Sequence, residues 1–141
     1  MVTRLAEIND LPAWKNVAAN IAEIFGNPGM ADDPKFIDYA ERKIEQREAI
    51  AAVGGETGEC VGFIGFSRNF NRITWFGVLE KFRGNGIGDK LFQLALSKLD
   101  SSKEITVETF RDNYMPGLPA RRLYLKHGFS ETENNLFDSL G

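Results

Sequence analysis

Hydrophobic positions along this 141-residue chain change period several times, which predicts strands and helices interleaved within one domain spanning residues 1–141. Val2–Ile8 alternates weakly and predicts a strand. Leu11, Trp14, Val17, Ala18, Ile21, Ile24 and Phe25 follow helical spacing. They predict a helix with Asp10 as N-cap and Pro12 in its first turn, ended by Gly26-Asn27-Pro28-Gly29. A second helix is predicted from Asp33-Pro34 to about Arg47, with Phe36, Ile37, Ala40 and Ile44 on one side. Ala49–Val53 and Cys60–Phe66 read as strands joined by the glycine-rich turn Gly54–Gly58. Arg68-Asn69-Phe70-Asn71 is a further turn, leading into a strand at Ile73–Leu79. A helix is predicted from Gly86 to Leu99, a strand at Ile105–Phe110, and a short helix at Ala120–His127 closed by Gly128. Phe129 begins a last strand. The order β-α-α-β-β-β-α-β-α-β predicts an α+β domain, a mixed central sheet with helices on both faces.

Composition narrows the chemistry by exclusion. No run of eighteen apolar residues is present, and no apolar stretch opens the chain, so neither a membrane partner nor a secretory leader is expected. One cysteine, Cys60, and one histidine, His127, leave no cluster for a structural metal and no internal disulfide. A cytoplasmic setting is the expectation, with Cys60 a buried strand residue and His127 a capping or packing residue. The net charge of −3 argues against a nucleic-acid partner whose affinity comes from phosphate neutralisation. Arg111, Arg121, Arg122 and Lys126 make one segment locally basic, either as a solvated helix face or as a surface near an anionic ligand.

The segment that changes the picture is Arg83-Gly84-Asn85-Gly86-Ile87-Gly88, between a predicted strand and a predicted helix. The first amides of a helix lack intrahelical partners, and the helix dipole favours an anion beside them. Glycines at 84, 86 and 88 remove the β-carbons that would hold a phosphate away. The segment therefore suits a phosphate or diphosphate cradle, and on glycines alone it also suits a plain strand–helix turn. It lacks the Gly-Lys-Ser/Thr of a P-loop. Its Gly84-x-Gly86-x-Gly88 spacing, after three consecutive strands, is not the dinucleotide fingerprint either.

These residues resemble the pyrophosphate loop of the GNAT superfamily of N-acetyltransferases, Arg/Gln-x-x-Gly-x-Gly/Ala, matched here by Arg83, Gly86 and Gly88. Phe76-Gly77-Val78 resembles the end of that family's fourth strand, and Tyr124-Leu125-Lys126-His127-Gly128-Phe129 resembles its Tyr-x-x-x-Gly-Phe signature. The resemblance covers nearly the whole chain. It implies acetyl-CoA as cosubstrate, without a metal, wedged between the strands Ile73–Leu79 and Ile105–Phe110. The implied cofactor-binding residues are Phe76, Gly77, Val78, Arg83, Gly84, Asn85, Gly86, Ile87, Gly88, Asp89 and Asn113. The implied reaction is direct transfer of an acetyl group to a primary amine of a small molecule or peptide. Val78 would supply the amide that polarises the thioester, and Tyr124 the general acid, its alternative being a packing role. Glu108 is the candidate base in place of the strand glutamate some members carry, with surface or structural duty as its alternative. Glu80 reads as a loop residue.

The sequence departs from the family pattern in two places. The asparagine expected near the thioester is replaced by Gly117, with Asn113 as a substitute if the Met115–Pro119 loop folds back. Phe129–Leu140 leaves little room for a further pair of strands, which predicts a sheet lacking its last strand or a homodimer that covers the edge. Without the usual glutamate and asparagine, a non-catalytic acyl-CoA sensor is the competing reading. Phe70, Trp75, Phe110 and Tyr114 are candidates for the acceptor pocket, with Asp32 and Asp33 as attractors of a cationic amine.

Overall fold

The computed structural model describes residues 2–24, 30–54, 58–108, 130–131 and 136–138. Strand β1 (Val2–Leu5) is followed by a 3-10 turn at Ile8–Asp10, helix α1 (Leu11–Ile24) and helix α2 (Pro34–Glu45). Strands β2 (Ala49–Val53), β3 (Cys60–Ser67) and β4 (Arg72–Val78) come next, then helix α3 (Ile87–Ser97). The described chain ends in β5 (Thr106–Glu108), β6 (Ser130–Glu131) and β7 (Leu136–Asp138). The strands form one sheet in the order β1-β2-β3-β4-β5-β7-β6. Its neighbours are antiparallel except for β4 and β5, which run parallel and need α3 as their crossover. The sheet is therefore mixed, as the sequence predicts.

Helices cover both faces because β3 and β4 alternate their side chains. Phe63 stacks on Trp14 of α1, with ring centroids 5.1 Å apart, and its cross-strand partner Gly77 lies under Ile21 of the same helix. One residue along each strand, Gly62 and Val78 face Leu91 of α3, while Phe76 meets Phe92 edge to face. Trp14 also touches Phe36 and Tyr39, which brings α2 onto the α1 face. Fully buried Trp14, Phe63, Ile64, Leu91 and Phe92 make the two half-cores. Each such side chain contributes roughly 1.5–3 kcal/mol by leaving water.

One predicted boundary holds and two expectations shift. Asp33 does cap α2, accepting the Lys35 amide at 2.9 Å, with Pro34 at the first helical position. Asp10 does not cap α1. It closes the preceding turn instead, where its carboxylate accepts the Glu7 amide at 2.7 Å and both Arg4 guanidinium nitrogens at 2.7 and 3.0 Å. The expected lack of a final strand is also corrected: β6 and β7 pair antiparallel, and β7 pairs with β5. Strands of two and three residues fit where longer ones would not. The predicted helix Ala120–His127, with Arg121 and Arg122, lies outside the described residues, as do Gly26–Gly29 and Arg111.

Asp10 links β1 to β3, since the Cys60 thiol donates to its Oδ1 at 3.5 Å. Burial opposes ionisation of Asp10, but the Arg4 hydrogen bonds, the Glu7 amide and the Arg4 charge outweigh it. The carboxyl is held below its ordinary 3.8. Burial in turn pushes the Cys60 thiol up to about 11, which leaves it an unreactive proton donor. A depressed carboxyl stabilises the fold above its unfolded pKa, and that stability is lost as pH falls through the folded value. Asp10→Asn is expected to lower stability by about 1–3 kcal/mol at neutral pH. Urea melts down to about pH 3 should show the variant approaching wild type, because only wild type loses the increment.

Candidate functional site

The site begins where the described pairing of β4 with β5 stops. Asn71, at φ 51°, ends the β3–β4 turn. Its side-chain amide donates to the carbonyls of Asp100 and Glu104 at 2.9 Å each, while its Oδ1 accepts the Asp100 amide. The starts of β4 and β5 are thereby tied together, and Arg72 pairs with Thr106 and Ile73 with Val107. There the described pairing stops. At that same level the register of β3 and β4 slips: Gly65 faces Trp75 but Phe66 faces Ile73, so Thr74 is an extra residue. A bulge of this kind bends its strand and sharpens the local twist.

Beyond the bulge, main-chain direction decides what each edge of β4 offers. The Leu79 amide donates to Val61 O at 2.8 Å, on the β3 side. Direction alternates along a strand, so the main-chain groups of Gly77 also point toward β3, and those of Phe76 and Val78 point the other way. Val78 O accepts a hydrogen bond from Arg83 Nε at 3.2 Å, which draws the following loop back onto this edge.

The loop itself turns twice through left-handed backbone, at Gly84 (φ 84°) and Gly86 (φ 77°), the second being the N-cap of α3. Other residues reach this region only with strain. A β-carbon built on either glycine meets nothing within 4 Å, so the space in front of the loop is open. Asn85 donates from its side chain to Phe82 O at 3.1 Å and so braces the turn. The first backbone bond of the helix is from the Lys90 amide to Gly86 O, and among the described residues the amides of 84–88 have no acceptor. Ile87 is buried and anchors the helix start, while Gly84, Asn85 and Gly86 are exposed. Asp89 lies in the first turn, where Gln93 reaches it at 3.5 Å.

The structure thus brings Phe76, Val78, Arg83, Gly84, Asn85, Gly86, Ile87 and Gly88 to one strand end and the loop that follows it. Gly77 is placed differently from the sequence expectation: it lies beneath α1, its main chain turned to β3. Glu108 ends β5, with nothing described of its side chain. Tyr124, Asn113, His127, Phe110 and Tyr114 lie outside the described residues. Glu80 opens a 3-10 turn as an exposed residue, and its amide donates to Asn20 Oδ1 at 3.0 Å. Asn20 is one residue that sequence reasoning passed over; its only signal was a polar position on an apolar helix, at i+4 from Asn16. Both line a cleft of about 550 Å³ beside Leu79. Of the acceptor-pocket candidates, Trp75 packs on Trp14 and Phe36, Phe70 is 70% exposed on its turn, and Asp33 is occupied as a cap. Asp32 lies 3.8 Å from Lys15.

A strand end followed by a helix start whose amides have no acceptor among the described residues suits an extended ligand with phosphate at one end. The profile of the Acetyltransferase (GNAT) family matches residues 14–129, and the chain belongs to that family. Solved structures agree on the fold. An acetyltransferase of the GNAT family from Staphylococcus aureus superposes with a TM-score of 0.77 at 16% identity, over 97% of this chain and 96% of that one. PaiA N-acetyltransferase from Thermoplasma acidophilum, in complex with coenzyme A, gives 0.71 at 16% identity, over 97% and 95%. The NatC complex bound to Gag peptide and coenzyme A gives 0.68 at 22% identity, over 97% and 94%. No curated protein matches significantly in sequence.

Proposed function

We propose that this chain transfers an acetyl group from acetyl-CoA to a primary amine of a small molecule or peptide. The observation that carries the reading is that the Val78 amide, turned away from β3, precedes a loop whose amides at 84–88 have no acceptor among the described residues, the two joined by the Arg83–Val78 bond. The residues fit the cosubstrate: the amides match a diphosphate, and the missing β-carbons of Gly84 and Gly86 leave it room. Arg83, Gly84, Asn85, Gly86, Ile87, Gly88 and Asp89 form the diphosphate end, and the edge of Phe76–Val78 holds the pantetheine arm. Asn113 is a further contact in this reading.

Bound acetyl-CoA supplies an activated thioester. The Val78 amide donates to the carbonyl oxygen as negative charge develops there, an effect worth about 3 kcal/mol for a pre-oriented donor. Glu108 accepts the proton of the incoming amine, directly or through water. Tyr124 holds a proton for the departing sulfur, for which a phenol with pKa near 10 is suited. A peptide amine is kept among the proposed acceptors; the NatC complex, similar in fold, is bound to a peptide.

Thiol release from acetyl-CoA across a panel of amines tests the reading. Turnover is expected with at least one amine, and Tyr124→Phe should reduce kcat by about tenfold or more with little change in KM for acetyl-CoA. Tight coenzyme A binding with no thiol release would favour a sensor instead. Unchanged turnover in Tyr124→Phe would return that residue to packing.

A further inference from the structure

We propose that Tyr39 and Lys43 of α2 are positioning residues that fix the Thr74 bulge and thereby decide which main-chain groups face the acetyl-CoA cleft. The inference rests on the acetyl-CoA reading of that cleft. Tyr39 and Lys43 lie four residues apart, on one face of α2. The Tyr39 hydroxyl shares a 2.5 Å hydrogen bond with Thr74 Oγ1, on the extra residue itself. Lys43 Nζ donates to Phe66 O at 2.8 Å, on the opposite strand where the register slips. One helix therefore holds both sides of the irregularity.

The supporting groups are buried and mutually satisfied. Lys43 Nζ also donates to Glu48 Oε1 at 3.2 Å, and the two side chains are only 10% and 11% exposed. Glu48 Oε2 accepts the Arg68 amide at 2.6 Å, and Glu48 O accepts the Phe66 amide at 2.9 Å. A buried ion pair is a weak source of stability, so its use here fits a role in fixing register. Gly65 completes the arrangement, because a β-carbon there would collide with the Tyr39 hydroxyl.

The physical consequence follows from the two-residue period of a strand. Slipping β4 by one position reverses every main-chain and side-chain direction beyond the slip. With the bulge in place, the Val78 amide faces the cleft; with the bulge ironed out, it turns toward β3. The diphosphate loop lies after this segment and keeps its own geometry through Gly84 and Gly86.

Calorimetry with two ligands tests the clamp: coenzyme A, and 3′-phosphoadenosine 5′-diphosphate, which lacks the pantetheine arm. Tyr39→Phe and Thr74→Val should each weaken coenzyme A binding about five- to tenfold, the worth of one hydrogen bond. Affinity for the fragment should stay within about twofold, and Thr74→Ser should restore coenzyme A binding. Equal losses for both ligands, or no loss for either, would overturn the clamp while leaving the cleft assignment intact. If wild type binds neither ligand, the acetyl-CoA reading fails and the clamp fails with it.

Discussion

Gly86→Glu is expected to lower coenzyme A affinity at least about a hundredfold while leaving the protein folded. Two unit charges 4 Å apart near a protein surface interact by about 4 kcal/mol, and a diphosphate beside a glutamate carries that interaction as repulsion. The side chain also occupies the space into which the loop amides point. Folding survives because a β-carbon at 86 meets no neighbour within 4 Å, so the structural cost is confined to the left-handed backbone, φ 77°. For a residue with a β-carbon that strain is about 1–2 kcal/mol. Gly86→Ala is the control. It carries the same strain without charge or length, and should cost stability while keeping most of the affinity. Titration of coenzyme A into each variant distinguishes the two effects, and retained affinity in Gly86→Glu would remove the loop from the site.

Gly77→Ala should produce the second large effect, on stability rather than on binding. The α1 helix crosses β4 so closely here that a β-carbon would collide with Ile21 Cδ1 and approach two carbons of the Trp75 ring at 2.9 and 3.1 Å. Ile21 is 5% exposed and has little room to move, and the indole is rigid. Overpacking of this kind costs about 1–3 kcal/mol, a fall in Tm of about 2–10 °C for a chain of this size. Removing the obstructing methyl should relieve it: Ile21→Val alone costs about 0.5–1.5 kcal/mol, yet the double variant should lose less than the sum of the two single ones. Strict additivity in thermal melts would show that the contact does not limit the position.

The difference between Gly86 and Gly77 shows where the sequence was legible. Gly86 sits in a loop whose spacing and neighbours suggest an anion site, and the structure gives it open, left-handed backbone. Gly77 has the same residue type inside a strand motif, but its cause is Ile21, fifty-six residues earlier, which no local pattern reveals. Asp10 misleads for the same reason. A local reading makes it a helix cap, whereas Arg4 and Cys60 claim its carboxylate. Strand β2 and the start of α2 were readable to the residue, because a short continuous apolar run bounded by a glycine-rich turn and an Asp-Pro helix start carry their own signals. The Thr74 bulge was not, since Ile73–Leu79 reads as an uninterrupted strand and the slip exists only relative to β3. Of the last two strands only the first, from Phe129, was expected; β7 was missed because a strand of three residues falls below any periodic signal.

Function follows from this geometry through one claim, that the amides of residues 84–88 and of Val78 form a single binding edge for acetyl-CoA. Amide NMR spectra recorded while coenzyme A is added test it most directly. The account predicts that those amides shift together and saturate at the same ligand concentration. Binding that leaves the loop and Val78 unmoved, or no binding at all, would contradict it.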